Sequence, residues 1–161
     1  MSTIYNDSIT YKKQATFEAG VSFGSGASAS QSTIKYATKA FMLANITAGT
    51  LTFTNSTDIP ANAMIIGAYI TTTIQPAFSA GTTTGLTAKT GTAADDDGFG
   101  QAISIAGTVG LKVPEPGARL GVLNTSQNIV VVFTPTGGTP TLSEVSAGAG
   151  SVIIAYTLPP M

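Results

Sequence analysis

The stretch Met64-Ile-Ile-Gly-Ala-Tyr-Ile-Thr-Thr-Thr-Ile74 decides the fold. It is long, apolar and rich in β-branched residues, whose stiff χ1 suits a pleated strand better than a helix. It shows no 3.6-residue period. Directly before it stands Asp58-Ile-Pro-Ala-Asn62, a turn by composition, with Pro presetting φ and Asp and Asn offering local side-chain bonds. A strand this apolar needs cover on both faces, or on one face plus an oligomer interface.

The same grammar repeats outward from this run. Residues 33–43 alternate Ile34, Tyr36 and Thr38 against Lys35, Ala37 and Lys39. Residues 50–54 set Leu51 and Phe53 between threonines, and 85–90 form a short alternating strand. Residues 101–105 and 111–113 carry weaker signals. Residues 128–134 and 151–157 are strongly β-branched and read as central strands. Gly and Pro punctuate the junctions, and no 12-residue stretch carries a helical period. Many short strands at close spacing predict an all-β chain, an antiparallel β-sandwich of jelly-roll-like type. The expected core is built from Ile65, Ile70, Val130, Val132, Ile153, Ala155 and their neighbours. Residues 135–150 (PTGGTPTLSEVSAGAG) are too long for a tight hairpin and are expected to form an exposed loop.

Residues 1–31 read differently. Short alternating pieces (Ile9-Thr-Tyr11, Val21-Ser-Phe23) lead into the flexible linker Gly24-Ser-Gly-Ala-Ser-Ala-Ser30. The expected division is an extended N-terminal arm over 1–31 and a β-sandwich domain over 32–161. Tyr5, Ile9, Tyr11, Phe17, Val21 and Phe23 make the arm too apolar for a free tail. Adding a strand to a neighbouring sheet, or filling a groove, would bury them. Lys12 and Lys13 would suit an acidic patch on a partner. The alternative is that residues 1–23 supply the first strand of their own sandwich.

Composition narrows the chemistry. The 161 residues contain no His, no Cys and no Trp, and 9% are charged. The commonest general base, the thiolate nucleophile and the nitrogen and sulfur metal ligands are therefore missing. A net charge of −1 supplies no basic excess for phosphates, so nucleic acid is not an expected partner. It also gives little self-repulsion, which favours association. No apolar run approaches the ~20 residues of a membrane span, and residues 1–14 lack a secretory pattern. The expectation is a structural or binding protein, not an enzyme.

Local motifs add little chemistry. Asp95-Asp96-Asp97-Gly98 is the one charge cluster. It fails the spacing of a calcium loop, and Asp-Gly is turn chemistry, so neither metal nor cofactor is expected. Gly81-Thr-Thr-Thr-Gly-Leu-Thr-Ala-Lys-Thr90 has Ala88 where a phosphate loop needs Gly, with no helix following. Ser32-Thr-Ile-Lys35 matches Ser-x-x-Lys, but in an alternating strand with no supporting motif. Arg119, the sole arginine, would serve an interface or pair locally with Glu115. Lys35 and Lys39 share one strand face, as at a sheet edge.

Three segments carry a resemblance. Asp58-Ile-Pro-Ala-Asn-Ala-Met-Ile-Ile-Gly-Ala-Tyr-Ile70 resembles the turn and apolar strand of small tailed-phage virion proteins. Thr87-Ala-Lys-Thr-Gly-Thr-Ala-Ala-Asp-Asp-Asp-Gly-Phe99 is similar to their strand, Gly-Thr-Ala and acidic turn. Ser151-Val-Ile-Ile-Ala-Tyr-Thr157 resembles their closing strand. Asn62 stands where glycine is usual, and the arm matches no part of the pattern. The resemblance is to the capsid decoration (cement) proteins of tailed bacteriophages. It implies a β-rich homotrimer on the outer surface of an icosahedral shell, with the major capsid protein as partner, made in the bacterial cytoplasm. Tyr5, Tyr11, Lys12, Lys13, Phe17, Phe23 and Arg119 are the expected contact residues. A head-fibre or tail module that binds a receptor or carbohydrate is the alternative, which the absence of Trp disfavours.

Overall fold

The run at Met64 lies in β3 (Ala63–Phe78), at the middle of a sandwich. The computed structural model describes residues 33–46, 48–79, 81–121, 123–124 and 127–158. The other strands are β1 (Lys35–Met42), β2 (Thr50–Phe53), β4 (Thr83–Thr92), β5 (Asp95–Ser104), β6 (Gly110–Lys112), β7 (Leu123–Asn124), β8 (Ile129–Gly137) and β9 (Val145–Thr157). Among the described residues, helix is confined to two single 3₁₀ turns, Leu43–Asn45 and Leu142–Glu144. The expected arm lies outside the described residues.

Strand pairing makes the chain a nested hairpin. β1 pairs with β9, β2 with β8, β3 with β6 and β4 with β5, all antiparallel. The hairpin is rolled so that β9 also joins β3, and β8 joins β4. Sheet A therefore runs β1-β9-β3-β6, with β7 on β3, and sheet B runs β2-β8-β4-β5. Nested pairing rolled into two sheets is a jelly roll, as the sequence predicts.

The core fills the space between the sheets. Phe53, Phe99, Ile59, Ile65, Ile70, Leu86, Ile105, Ile129, Val131, Val152 and Ile154 are its fully buried large side chains. Phe41 of sheet A meets Phe133 of sheet B at 5.2 Å in a tilted pair, a favoured aromatic geometry. Each fully buried aliphatic or Phe side chain contributes roughly 1.5–3 kcal/mol.

The expected core is right in part. Ile65 and Ile70 are buried between the sheets and Ala155 is buried on an outward position, but Val130, Val132 and Ile153 are only half-buried. They sit on outward positions, and their neighbours Ile129, Val131, Val152 and Ile154 point inward. In Ile-Val-Val-Val and Val-Ile-Ile-Ala both alternating sets are apolar, so alternation cannot choose a face, and a one-residue slip exchanges them.

Two boundaries also differ. The expected 135–150 loop contracts to residues 138–144, because β8 runs to Gly137 and β9 begins at Val145. Glu144 closes this connection. Its Oε2 accepts the backbone N–H of Thr83 at 2.7 Å and of Thr82 at 3.1 Å. Hydrogen bonding from Thr83, by its side chain first and then its N–H, and from the Thr82 N–H holds the Glu144 carboxyl below its usual range. β3 continues past Ile74 through the buried Pro76. Register shifts between Ile74 and Ala77 accommodate a residue that cannot donate to the ladder.

Candidate interaction surface

The sites weighed from sequence turn out to hold the fold together. The β4–β5 turn lies at residues 93–94, so Asp95, Asp96 and Asp97 open β5 instead of forming the turn. Asp96 pairs with Lys89 across the hairpin at 2.8 Å. Among the described residues no group of three or more His, Cys, Asp and Glu is placed to hold a metal ion. The glycine- and threonine-rich 81–90 segment leads into and forms β4, and no helix follows it. Ser32 lies outside the described residues, and Lys35 is the exposed first residue of β1.

Arg119 does not pair with Glu115. Its Nη1 donates to Thr92 Oγ1 at 3.1 Å and to Gln127 Oε1 at 3.2 Å. Its guanidinium carbon lies 5.7 Å from the centre of the Phe99 ring, within cation–π range. The side chain is anchored to its own sandwich while staying partly exposed. Tyr5, Tyr11, Lys12, Lys13, Phe17 and Phe23 lie outside the described residues.

Lys39 joins the two sheets at one edge. Its Nζ donates to the Thr52 carbonyl of β2 at 2.8 Å and lies 2.6 Å from Asp58 Oδ2. Asp58 also accepts the Thr54 N–H at 2.6 Å. Lys39 first, and then Thr54, hold the Asp58 carboxyl below its usual range. The Asp58–Asn62 turn is thereby tied to edge strands of both sheets. Asn62 has φ +61°, a left-handed conformation that Asn tolerates better than most residues.

The two outer faces differ sharply. On sheet B, outward positions include Thr50, Thr52, Thr87 and Thr134, with Lys89 beside Val132 and paired to Asp96. On sheet A, cross-strand rows run Met42–Ala149–Ile74, Ala40–Ser151–Thr71–Leu111, Thr38–Ile153–Tyr69 and Tyr36–Ala155–Gly67. None of these residues is charged. Sheet A also carries the exposed large hydrophobic side chains of the described residues. Ile34, Tyr36 (63% exposed) and Met42 belong to β1 and its approach, and Ile74 to β3. Leu111 (61% exposed) is on β6, with Val109 and Val113 flanking it. Where β1 turns toward β2, a groove of about 480 Å³ is lined by Ala40, Phe41, Met42, Asn45, Ile46, Ala48, Thr50 and Leu51.

No protein-family model matches the chain, and no curated protein matches it. One kind of solved structure does. The fold is similar to that of a chain in the "Cyanophage Pam1 capsid asymmetric unit". The TM-score is 0.53 at 20% identity, and the match covers 90% of this chain and 99% of that one. The likeness is therefore one of whole fold, not of an inserted module.

Sequence reasoning did not single out the outer face of sheet A. The signal was present as runs apolar in both alternating sets, which demand either a second covering layer or a partner. What the runs do not show is which residues of each pair turn outward.

Proposed function

We propose that this protein is a non-enzymatic structural component of a phage virion that decorates the capsid and binds across neighbouring capsid subunits. The observation that carries this reading is the match of fold, over nearly the full length of both chains, to a chain of a phage capsid asymmetric unit. A protein that binds only the assembled shell stabilises that shell by mass action, since opening the shell also breaks its contacts. The major capsid protein is the partner, and residues 1–31 act as a clasp on a neighbour through Tyr5, Tyr11, Phe17 and Phe23, with Lys12 and Lys13 beside them. Arg119, already anchored on Phe99, offers a pre-ordered rim contact. In this reading the protein is a homo-oligomer, a trimer by its resemblance to cement proteins, made in the bacterial cytoplasm and carried on the outer surface of the virion.

The test is co-sedimentation with phage heads emptied of DNA and stripped of this protein. Retention on assembled heads, with a raised temperature of head disruption and no binding to dissociated capsid subunits, is the expected result. Failure to bind heads at any concentration refutes the reading.

A further inference from the structure

We propose that the outer face of sheet A is the surface through which copies of this chain bind one another. The inference goes beyond capsid binding and does not depend on it.

Three observations select a second copy as the occupant. The first is area. The seven exposed large hydrophobic side chains of this face and its rim are each half or more exposed. Together with the uncharged rows between them, they span a face of the order of the ~800 Å² that each partner contributes to a standard interface. The second is charge. A face that meets its own kind brings each charge it carries near a like charge, which costs several kcal/mol when desolvated. The cross-strand rows of this face carry none, although Lys35, Lys39 and Lys112 belong to its strands. Lys39 and Lys112 pair with inward-facing Val152 and Ile70. The third is relief. The row Ala40–Ser151–Thr71 is small as far as the bulky Leu111 at its β6 end, and the rows beside it carry Tyr69 and Ile153, or Met42 and Ile74. Alternating small and bulky rows let side chains of a facing layer interdigitate at the ~10 Å spacing of packed sheets. Sheet B has none of the exposed large hydrophobics, and its outward row Thr50–Val132–Lys89 carries a charge.

The experiment is sedimentation equilibrium of the full chain across a wide concentration range. The parent is compared with Tyr36→Lys/Leu111→Lys, and with Thr134→Lys on sheet B as control. Tyr36 and Leu111 are more than 60% exposed, so the double variant keeps its fold, checked by circular dichroism and melting. The parent and Thr134→Lys sediment as a multiple of 16.2 kDa. The double variant associates about 100-fold more weakly or worse, because each interface gains desolvated lysines. The uncharged pair Tyr36→Ser/Leu111→Ser shows the same direction and answers the case in which the lysine variant misfolds. A parent that is monomeric throughout overturns the proposal. So does a folded double variant that associates like the parent, or a control that dissociates equally. Head binding is a separate readout. A parent that self-associates but binds no heads leaves this inference standing and removes the capsid reading, and a monomer that binds heads does the reverse.

Discussion

Replacing Ile154 by Ala and, separately, Ile153 by Ala tests the facing of β9 with identical chemistry. The two residues are neighbours in one central strand, so propensity and strand position cancel. Ile154 is 0% exposed between the sheets, whereas Ile153 is half-buried on the outer face. Truncating Ile154 removes three buried carbons, about 2.4 kcal/mol at ~0.8 kcal/mol each. A residual cavity of roughly 60–80 Å³ adds about 1.5–2 kcal/mol at ~24 cal/mol per Å³. The expected loss is about 4 kcal/mol. Ile153→Ala loses about half of the transfer energy and leaves no enclosed cavity, so the expected loss is about 1.2 kcal/mol. Equilibrium urea unfolding gives both values, provided the m-value is unchanged. At ~3 °C per kcal/mol the melting temperatures fall by about 12 °C and about 4 °C. Measurement at two protein concentrations separates the folding term from an association term, because only the latter depends on concentration. Equal losses at Ile153 and Ile154 in dilute protein, or a larger loss at Ile153, would refute the assignment of faces and the interface argued from it.

Further expectations concern the turns and the acid range. Asp58 and Glu144 both have lowered carboxyl pKa values, so their contribution is present above the unfolded value near ~4 and is lost as pH falls through the folded value. The melting temperature is therefore level from neutral pH down to about 5 and falls below about 4. Asp58→Asn/Glu144→Gln lowers the plateau and flattens the acid limb, and an unaltered acid limb contradicts the assignment. Asn62→Ala loses about 1–2 kcal/mol at a left-handed backbone position, and Asn62→Gly stays within a few tenths of the parent. Gly148 has φ +133°, and a Cβ there would sit 2.5 Å from Leu43 Cδ1 and 3.1 Å from Pro76 Cα. Gly148→Ala is expected to lower stability by about 1–3 kcal/mol, and a normally melting variant would show that β3 and β9 are more loosely packed than described. Calcium is expected to leave the melting temperature unchanged, and a rise that disappears in Asp96→Ala would establish a site at the start of β5.

The sequence by itself determined the class of this protein. Val, Ile and Thr in runs of strand length, cut by Gly and Pro, leave no amphipathic helix to form, and the chain is a sandwich. Asp58-Ile-Pro-Ala-Asn62 was legible as a turn because its residues act on their own backbone. The missing His and Cys stripped the chain of the commonest catalytic and metal-binding side chains before any fold was considered. Tertiary structure decided what depends on distant partners. It chose Ile154 over Ile153 and Val131 over Val132, because where both alternating sets are apolar only the opposite sheet says which is inside. It turned the apparent loop after Pro135 into strand, since the glycines there pair with β3 and β4 rather than with anything nearby in the chain. It drew Arg119 onto Phe99 and Lys39 across to Asp58, bonds between segments whose proximity no local pattern encodes. It also left one sheet with an uncharged apolar exterior. Period-two alternation is a local property, but nested pairing joins β1 to β9 across almost the whole domain, and exposure follows from the pairing.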